Sequence, residues 1–236
     1  MSFRQTLISS CAPFGIVLTD GQLDLCEKYF DMLVETNRSM NLTAITDPDQ
    51  AAVLHFSDSL ALLKFIDIPR SARLIDVGTG AGFPGLPLKI ARNDIDLTLL
   101  DALNKRLGFL QSVLYNTGLT AGLLHSRAED AGRDPAFRES FDVAVCRAVA
   151  KLNVLAEYCL PLLKCAGVFV AMKSGDIDEE ISLAQNALRL LNGEISDIHR
   201  LELADGSKRS LVVIKKLSPN DPCYPRSSSK ISKKPL

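Results

Sequence analysis

Apolar residues in the first third of the chain recur at helical spacing. An apolar stripe begins at Leu23, three residues after Asp20. It predicts a helix that is capped by Asp20 and ends near Asn37. A second stripe follows Pro48, a residue that suits a first helical turn, and continues to about residue 65. We therefore expect residues 1–70 to form a helical segment packed on the rest of the chain.

From residue 73 the pattern changes to short β-branched or leucine runs, each followed by a helical stretch. This alternation is typical of βαβ units and predicts a parallel sheet. The predicted strands are 73–77, 97–100, 122–125, 141–146 and 168–172; the helical stretches are 85–92, 105–117, 129–137, 152–162 and 178–191. Two last runs, 194–203 and 210–216, flank an Asp-Gly step that favours a reversing turn. The expected fold class is α/β, a doubly wound, mostly parallel seven-stranded sheet with a C-terminal antiparallel hairpin.

Length and composition fit one such domain. The chain has 236 residues, of which 47% are hydrophobic and 23% charged, so a packed core is expected over residues 71–217. No apolar run is long enough for a signal peptide or a membrane span, which predicts a cytoplasmic protein without membrane contact. The six cysteines form no C-x-x-C pair. We expect reduced thiols and no metal site.

Positive charge is concentrated in a C-terminal tail, residues 218–236. The net charge is −1, yet the last 13 residues contain four basic residues and no acid. These basic residues are Arg226, Lys230, Lys233 and Lys234. A basic tail on an acidic body suits contact with the phosphates of a nucleic acid. The alternative is that the tail lies against the domain and seals its cleft.

The strongest local signal is the glycine-rich turn after the first predicted strand. Gly78, Gly80 and Gly82 let the backbone turn sharply and approach a ligand, and the helix that begins near Gly85 aims its amides at it. Asp76 precedes the turn at a position that is acidic in methyltransferases and usually apolar in nicotinamide-binding strands. Its carboxylate either reaches the amino group of a cofactor's methionine portion through water or only accepts from the amides of the loop.

Asp101 ends the second predicted strand. A carboxylate there can accept hydrogen bonds from both ribose hydroxyls of an adenosine, or it can cap the helix that begins near Asn104. A short-chain dehydrogenase is disfavoured because no tyrosine has a lysine four residues later. The acidic turn and the strand-end carboxylate together predict an S-adenosylmethionine-dependent methyltransferase.

Residues after the fourth predicted strand bear on the acceptor. No Asn/Asp-Pro-Pro-aromatic turn, typical of enzymes that methylate exocyclic amines, follows it. Cys146 is not preceded by proline, which argues against a pyrimidine C5 enzyme with a nucleophilic cysteine. Neither of these acceptor classes is favoured.

Several motifs together resemble one family. They are Asn41-Leu42-Thr43, the His55 to Leu60 stretch, the glycine turn, Leu99-Leu100-Asp101 with Lys105-Arg106, Arg127-Ala128-Glu129, Arg147-Ala148-Val149-Ala150 and the terminal Lys233-Lys234-Pro235-Leu236. This set is similar to the bacterial RsmG (GidB) family, which methylates N7 of a guanine in 16S ribosomal RNA. The resemblance spans about residue 20 to the end.

The resemblance implies a cofactor, a partner and a set of contacts. The cofactor is S-adenosylmethionine, and its implied contacts are Gly78, Phe83, Asp101, Ala128, Glu129 and Arg147. The implied partner is 16S ribosomal RNA within the small subunit or an assembly intermediate, bound by a monomer. The alternatives are a non-catalytic RNA-binding assembly factor on the same fold and a methyltransferase with another nucleic-acid acceptor.

Two roles stay open at this stage. Guanine N7 carries a lone pair and no proton, so no catalytic dyad is required, and Arg147 is only a positioning candidate. His55 and Asp58 lie three residues apart on one helix face. They either pair with each other and so pin the helical N-terminal segment over the cofactor cleft, or approach the substrate.

Overall fold

The computed structural model describes residues 2–147 and 150–236. In this part of the chain, seven strands form one sheet in the order β3-β2-β1-β4-β5-β7-β6. Their bounds are β1 Arg73–Val77, β2 Asp96–Asp101, β3 Gly122–His125, β4 Phe141–Arg147, β5 Leu163–Ser174, β6 Gly193–Glu202 and β7 Lys208–Lys216. Strands β1 to β5 pair in parallel, and β7 is antiparallel to both β5 and β6. The predicted fold class is confirmed.

The helices cover both faces of this sheet. They are α1 Phe3–Cys11, α2 Asp20–Met40, α3 Pro48–Ala51, α4 Asp58–Phe65, α5 Gly85–Ala91, α6 Asn104–Thr117, α7 Ala128–Ala131, α8 Leu152–Cys159, α9 Asp178–Leu190 and α10 Ser228–Lys233. A π-helical turn over residues 52–57 joins α3 to α4. Such wide turns are rare and occur often at functional sites.

Several element boundaries differ from the prediction, and one helix was not predicted. The predicted helical stretch 129–137 is an α-helix only over Ala128–Ala131 and continues as turns. The cap of α2 is Thr19, whose hydroxyl accepts from the Gln22 amide while the Gln22 side chain accepts from the Thr19 amide. The helix continues to Met40 and ends where Asn41 adopts a left-handed φ of 49°. Helix α1 was not predicted, because its buried apolar residues are too few to give a long stripe.

Strand β5 begins five residues earlier than predicted. Its first residues include exposed positions and Ala166, which has a φ of +66°. The pairing of β4 with β5 shifts register in this segment. A bulge breaks the apolar run in the sequence, so only the part from Val168 onward was recognisable.

Adjacent residues of β1 belong to different cores because side chains alternate across a strand. Leu74 packs in a cluster with the N-terminal helices, α5 and α6, whereas Ile75 packs in a cluster with α8 and α9. Both faces of the central strands are therefore buried, as a parallel sheet requires. The helical segment that contains Leu33 and Phe56 is part of the first core.

The C-terminal segment lies against the second face. Pro225 and Ile231 are buried, and the Asn153 amide donates to the carbonyl oxygen of Leu236 at 3.1 Å. The Arg138 guanidinium donates to the carbonyl of Tyr224 at 2.7 Å. These contacts fix the segment along its length.

Membrane-spanning helices and metal clusters are both absent from residues 2–147 and 150–236. No helix there is long and apolar enough to cross a membrane. No group of three or more His, Cys, Asp or Glu side chains there could hold a metal ion. All six cysteines are free thiols, four of them buried.

Candidate active site

The glycine turn is organised around Asp76 at the end of β1. One carboxylate oxygen, Oδ2, accepts from the Thr79 hydroxyl at 2.7 Å and from the Gly85 amide at 2.9 Å. The other oxygen, Oδ1, is buried without a hydrogen-bond partner among the described residues. Complete burial raises the pKa of Asp76 to about 6, although the Thr79 and Gly85 hydrogen bonds oppose this shift. The carboxylate thus holds the loop and keeps one acceptor unused.

Two glycines of the turn have no room for a side chain. A Cβ on Gly85 would lie 2.8 Å from Asp76 Oδ2 and 2.7 Å from a Leu99 methyl carbon. Gly82 has a φ of +104°, and a Cβ there would lie 2.6 Å from the Tyr29 hydroxyl oxygen. This close packing lets the start of α5 approach Asp76.

Asp101 connects the turn to the next strand end. Its Oδ2 accepts from the Gly80 amide at 2.9 Å, and its Oδ1 accepts from the amide of Leu103, the residue that caps α6, at 2.8 Å. Arg106 pairs with Oδ2 at 3.3 Å. Leu103 occupies the N-cap position of α6, and no side chain caps that helix, so the interpretation of Asp101 as its N-cap was wrong. The contact to Leu103 does not conflict with ribose binding because each carboxylate oxygen accepts more than one hydrogen bond.

A cavity of about 160 Å³ opens beside these residues at the carboxyl ends of β1, β2 and β3. Gly78, Asp101, Ala128 and Glu129 line it together, as does Tyr158 of α8. Glu129 is only 3% exposed, and its Oε1 has no hydrogen-bond partner among the described residues. The cavity thus combines apolar walls with an unused buried acceptor, which suits a ligand that carries N–H donors.

A cluster of aromatic rings contacts Arg147 at the end of β4. Phe83 stacks on His55 with the ring centroids 4.6 Å apart, and on Tyr29 with the centroids 5.1 Å apart. The Arg147 guanidinium lies over the Phe83 ring at 5.2 Å. The Tyr29 hydroxyl donates to the Ala81 carbonyl within the glycine turn. Phe83 therefore connects the turn to the N-terminal helices.

Arg147, at the end of β4, is fixed from several sides. Its Nη1 donates to the Leu54 carbonyl at 3.0 Å and to Asp58 Oδ2 at 3.2 Å, and its Nη2 lies 3.3 Å from His55 Nδ1. Burial and the nearby Arg147 charge lower the pKa of His55 to about 3. His55 is therefore neutral near pH 7 and can accept from Arg147.

Comparison with known proteins decides the family. A family model described as rRNA small subunit methyltransferase G matches residues 22–212. Proteins named Ribosomal RNA small subunit methyltransferase G are 49% identical in Desulforamulus reducens, over 98% of this chain and 97% of that protein, and 44% identical in Acetivibrio thermocellus, over 100% and 98%. The chain belongs to this family.

Solved structures outside the family share the fold alone. A SAM dependent methyltransferase from Aquifex aeolicus aligns with a TM-score of 0.56 at 16% identity, over 75% of this chain and 97% of that one. The [4+2]-cyclase SpnF aligns with the same TM-score at 16% identity, over 87% and 98%. The predicted resemblance to the RsmG (GidB) family is confirmed.

The six cofactor contacts that the resemblance implies fall into two groups in the structure. The structure brings Gly78, Asp101, Ala128 and Glu129 to one cavity, whereas Phe83 and Arg147 lie in the neighbouring aromatic cluster. Ala148 and Val149 of the Arg147 motif lie outside the described residues. Tyr158 was not predicted, because α8 gave only a signal for apolar packing.

The four basic tail residues predicted to contact phosphates also fall into two groups. Arg226 is only partly exposed: its Nε and Nη2 donate to the two oxygens of Glu157 at 2.8 and 2.7 Å, and Glu157 is completely buried. Phosphate contact is therefore the weaker interpretation for Arg226, and packing on the domain the stronger. Lys230, Lys233 and Lys234 are exposed on or beside α10.

His55 and Asp58 do not pair with each other as the simplest structural interpretation expected. Both contact Arg147, and Asp58 also pairs with Arg209 of β7 at 3.3 Å. Asp58 is 4% exposed, so its two arginine partners hold it inside the protein. Sequence reasoning missed Arg209, since nothing near residue 209 indicates a partner 151 positions earlier.

Proposed function

We propose that this protein transfers a methyl group from S-adenosylmethionine to N7 of a guanine in 16S ribosomal RNA. Family membership supports the enzyme class and the RNA, and the resemblance noted in the sequence supports the guanine N7 acceptor. One observation carries the cofactor assignment: Gly78, Asp101 and Glu129 line the same cavity, and Glu129 offers it an unused buried acceptor. We call it the cofactor cavity.

The fit of this cofactor rests on two buried carboxylate oxygens. Asp76 Oδ1 and Glu129 Oε1 have no hydrogen-bond partner in the described part of the chain. A buried acceptor left unsatisfied costs about 1–3 kcal/mol, so a ligand that brings donors to it is favoured. We assign Glu129 to the adenine amino group, Asp101 to the ribose hydroxyls and Asp76 to the methionine amino group, directly or through water.

The residues at the β4 end then supply positioning. The cofactor provides, when bound, a methyl group on a positively charged sulfur atom. Guanine N7 has no proton to lose, so the protein needs no general base at the acceptor. Holding the reacting groups in line is worth about 7–11 kcal/mol in favourable cases. Arg147, fixed by Leu54, Asp58 and Phe83, is the residue we assign to this positioning role.

We further propose that the protein acts as a monomer in the cytoplasm on RNA folded within the small subunit or an assembly intermediate. A net charge of −1 gives it little capacity to hold naked RNA by charge alone. Flipping the target base out of its stack also requires an RNA held in a defined shape.

Methyl transfer from radiolabelled S-adenosylmethionine tests the function. The acceptors are naked 16S RNA, isolated small subunits and mature ribosomes, and the product nucleoside is identified after digestion. We expect label in 7-methylguanosine, with the highest rate on one of the ribosomal forms. An RNA-binding assembly factor would bind RNA and transfer no label. Equal activity on free guanosine would contradict the requirement for folded RNA.

A further inference from the structure

A second cavity, of about 350 Å³, lies beside Arg147 and away from the cofactor cavity. Its lining includes three apolar residues, Ile45, Leu54 and Met172. The lining also carries charge, from Asp58, Arg147, Lys173, Glu180 and Arg209. A lining that combines apolar side chains with charged groups suits a nucleotide, because its base is flat and apolar and its phosphate is charged.

The charges of this cavity do not balance. Asp58 is shared between Arg147 and Arg209, at 3.2 and 3.3 Å. Glu180 pairs with Lys173 at 2.7 Å. His55 also lines the cavity and is neutral near pH 7 because its pKa is about 3. Three cations thus face two carboxylates, which leaves an excess of one positive charge for an anionic ligand.

Strand order places this cavity on the acceptor side of the reaction. The cofactor cavity lies over the ends of β1, β2 and β3, and the second cavity lies over the ends of β4 and β5 and the start of β7. Arg147 is level with Met172 in the sheet, and Ser174 is level with Arg209. Arg147, which lines the second cavity, lies over the ring of Phe83, the residue after the last glycine of the Gly78–Gly82 turn.

The Arg209 guanidinium has N–H donors that its contacts within the protein do not use. Its Nε faces Asp58, and its Nη1 donates to the carbonyl of Lys208 at 3.0 Å. A guanidinium carries more N–H donors than these two contacts use. The side chain is 17% exposed, so it is oriented by its partners and still reaches the cavity. A planar, fixed guanidinium is well suited to bind a phosphate.

We propose that this second cavity binds the acceptor nucleotide of the RNA and that Arg209 contacts a phosphate of that nucleotide. This proposal rests on the proposed function, because the acceptor is taken to be RNA. It adds a substrate contact from β7, far in sequence from every residue of the cofactor cavity.

The experiment compares Arg209→Gln with Arg189→Gln, which removes an exposed arginine from α9. We measure RNA affinity over a range of salt concentrations, the KM for small subunits, and S-adenosylmethionine affinity. Arg209→Gln should raise the RNA Kd and KM about tenfold and lower the salt slope by about 0.7–0.9, with cofactor affinity within twofold of native. Arg189→Gln should change none of these by more than about twofold.

A second measurement uses the native protein and does not depend on the folding of a variant. Photocrosslinking of RNA that contains 4-thiouridine beside the target guanine should place crosslinks on residues 172–174 or 209–211. Crosslinks confined to other surfaces, or an unchanged RNA affinity and salt slope in a folded Arg209→Gln protein, would overturn the proposal. If RNA binds through Arg209 but the native protein transfers no methyl group, the proposed function fails and this site stands.

Discussion

The two cavities at the carboxyl edge of the sheet are built in different ways. The cofactor cavity depends on short-range hydrogen bonds, such as those from Thr79 and Gly85 to Asp76. The second cavity depends on ion pairs that bridge distant parts of the chain, with Asp58 of α4 held between Arg147 of β4 and Arg209 of β7. The first forms where the ends of β1, β2 and β3 meet α7 and α8, whereas the second exists only once the N-terminal helices pack on the sheet.

Because the two cavities are built differently, substitutions in one should have different effects from substitutions in the other. Loss of a cofactor-side group should weaken cofactor binding and leave the helices docked. Loss of Asp58 should leave two nearly buried arginines without their carboxylate and loosen the contact between the helices and the sheet. Stability and binding measurements on matched variants separate these outcomes.

The largest expected effect is on stability. Asp58→Ala removes the carboxylate that Arg147 and Arg209 share, and breaking a buried ion pair from one side costs about 3–5 kcal/mol. Urea unfolding should show a loss near the lower end of this range, because both arginines keep some solvent contact. Asp31→Ala, at an exposed position of α2, is the control and should lose less than about 0.5 kcal/mol. Equal stability of the two variants would show that the pairing does not hold the helices.

Cofactor affinity should depend on Asp101. Asp101→Ala removes the acceptor for the Gly80 amide and for the expected ribose hydroxyls. Hydrogen bonds to a charged group are worth about 1.5–3 kcal/mol, so the S-adenosylmethionine Kd should rise about 10- to 100-fold. Calorimetry measures this Kd, with Asp96→Ala as control, because Asp96 lies on the same strand and its side chain is 70% exposed. A similar loss in both variants would argue against the ribose assignment.

Acid sensitivity should come in part from His55. Its pKa is about 3 in the folded protein against an ordinary value of 6.5, so its contribution to stability is complete above pH 6.5 and is lost as the pH falls towards 3. Between pH 7 and pH 5 this amounts to about 2 kcal/mol. Between pH 7 and pH 5, the free energy of unfolding of His55→Gln, measured in urea, should fall by about 2 kcal/mol less than that of the native protein. His125→Gln, at an exposed position, should follow the native curve; if it matches His55→Gln instead, His55 is not the source.

The smallest expected effect concerns the tail lysines. Replacing Lys230, Lys233 and Lys234 with Gln should lower the salt slope of RNA binding by up to about 0.7–0.9 for each phosphate that these lysines neutralise in the native complex. Cofactor affinity and the thermal midpoint should stay within error, because these side chains are exposed. Lys215→Gln, an exposed lysine of β7, is the single-charge control. An unchanged slope in the triple variant would remove the phosphate-binding role from the tail.

The sequence indicated which residues meet at the glycine turn and the neighbouring strand ends, but not the ion pairs of the second cavity, for one physical reason. Asp76 and Asp101 lie at the ends of two strands, and the glycines follow the first of them. The alternation of strands and helices in the sequence already gives the positions of these strands, and parallel strand ends meet at one edge of a sheet. Arg209 and Asp58 have no such local signature, because an ion pair between α4 and β7 depends on how the helices dock. The Glu157 pairing of Arg226 could not be predicted for the same reason, since a basic tail alone does not reveal a buried partner.

The most direct test of this division of roles is methyl transfer to small subunits measured over crossed concentrations of cofactor and RNA. The proteins compared are native, Asp101→Ala, Arg209→Gln and the double variant. Asp101→Ala should raise the KM for S-adenosylmethionine alone, Arg209→Gln should raise the KM for RNA alone, and the double variant should show both changes with additive free energies. If each single variant shifts both constants equally, the two cavities do not serve separate substrates and the division between them is wrong.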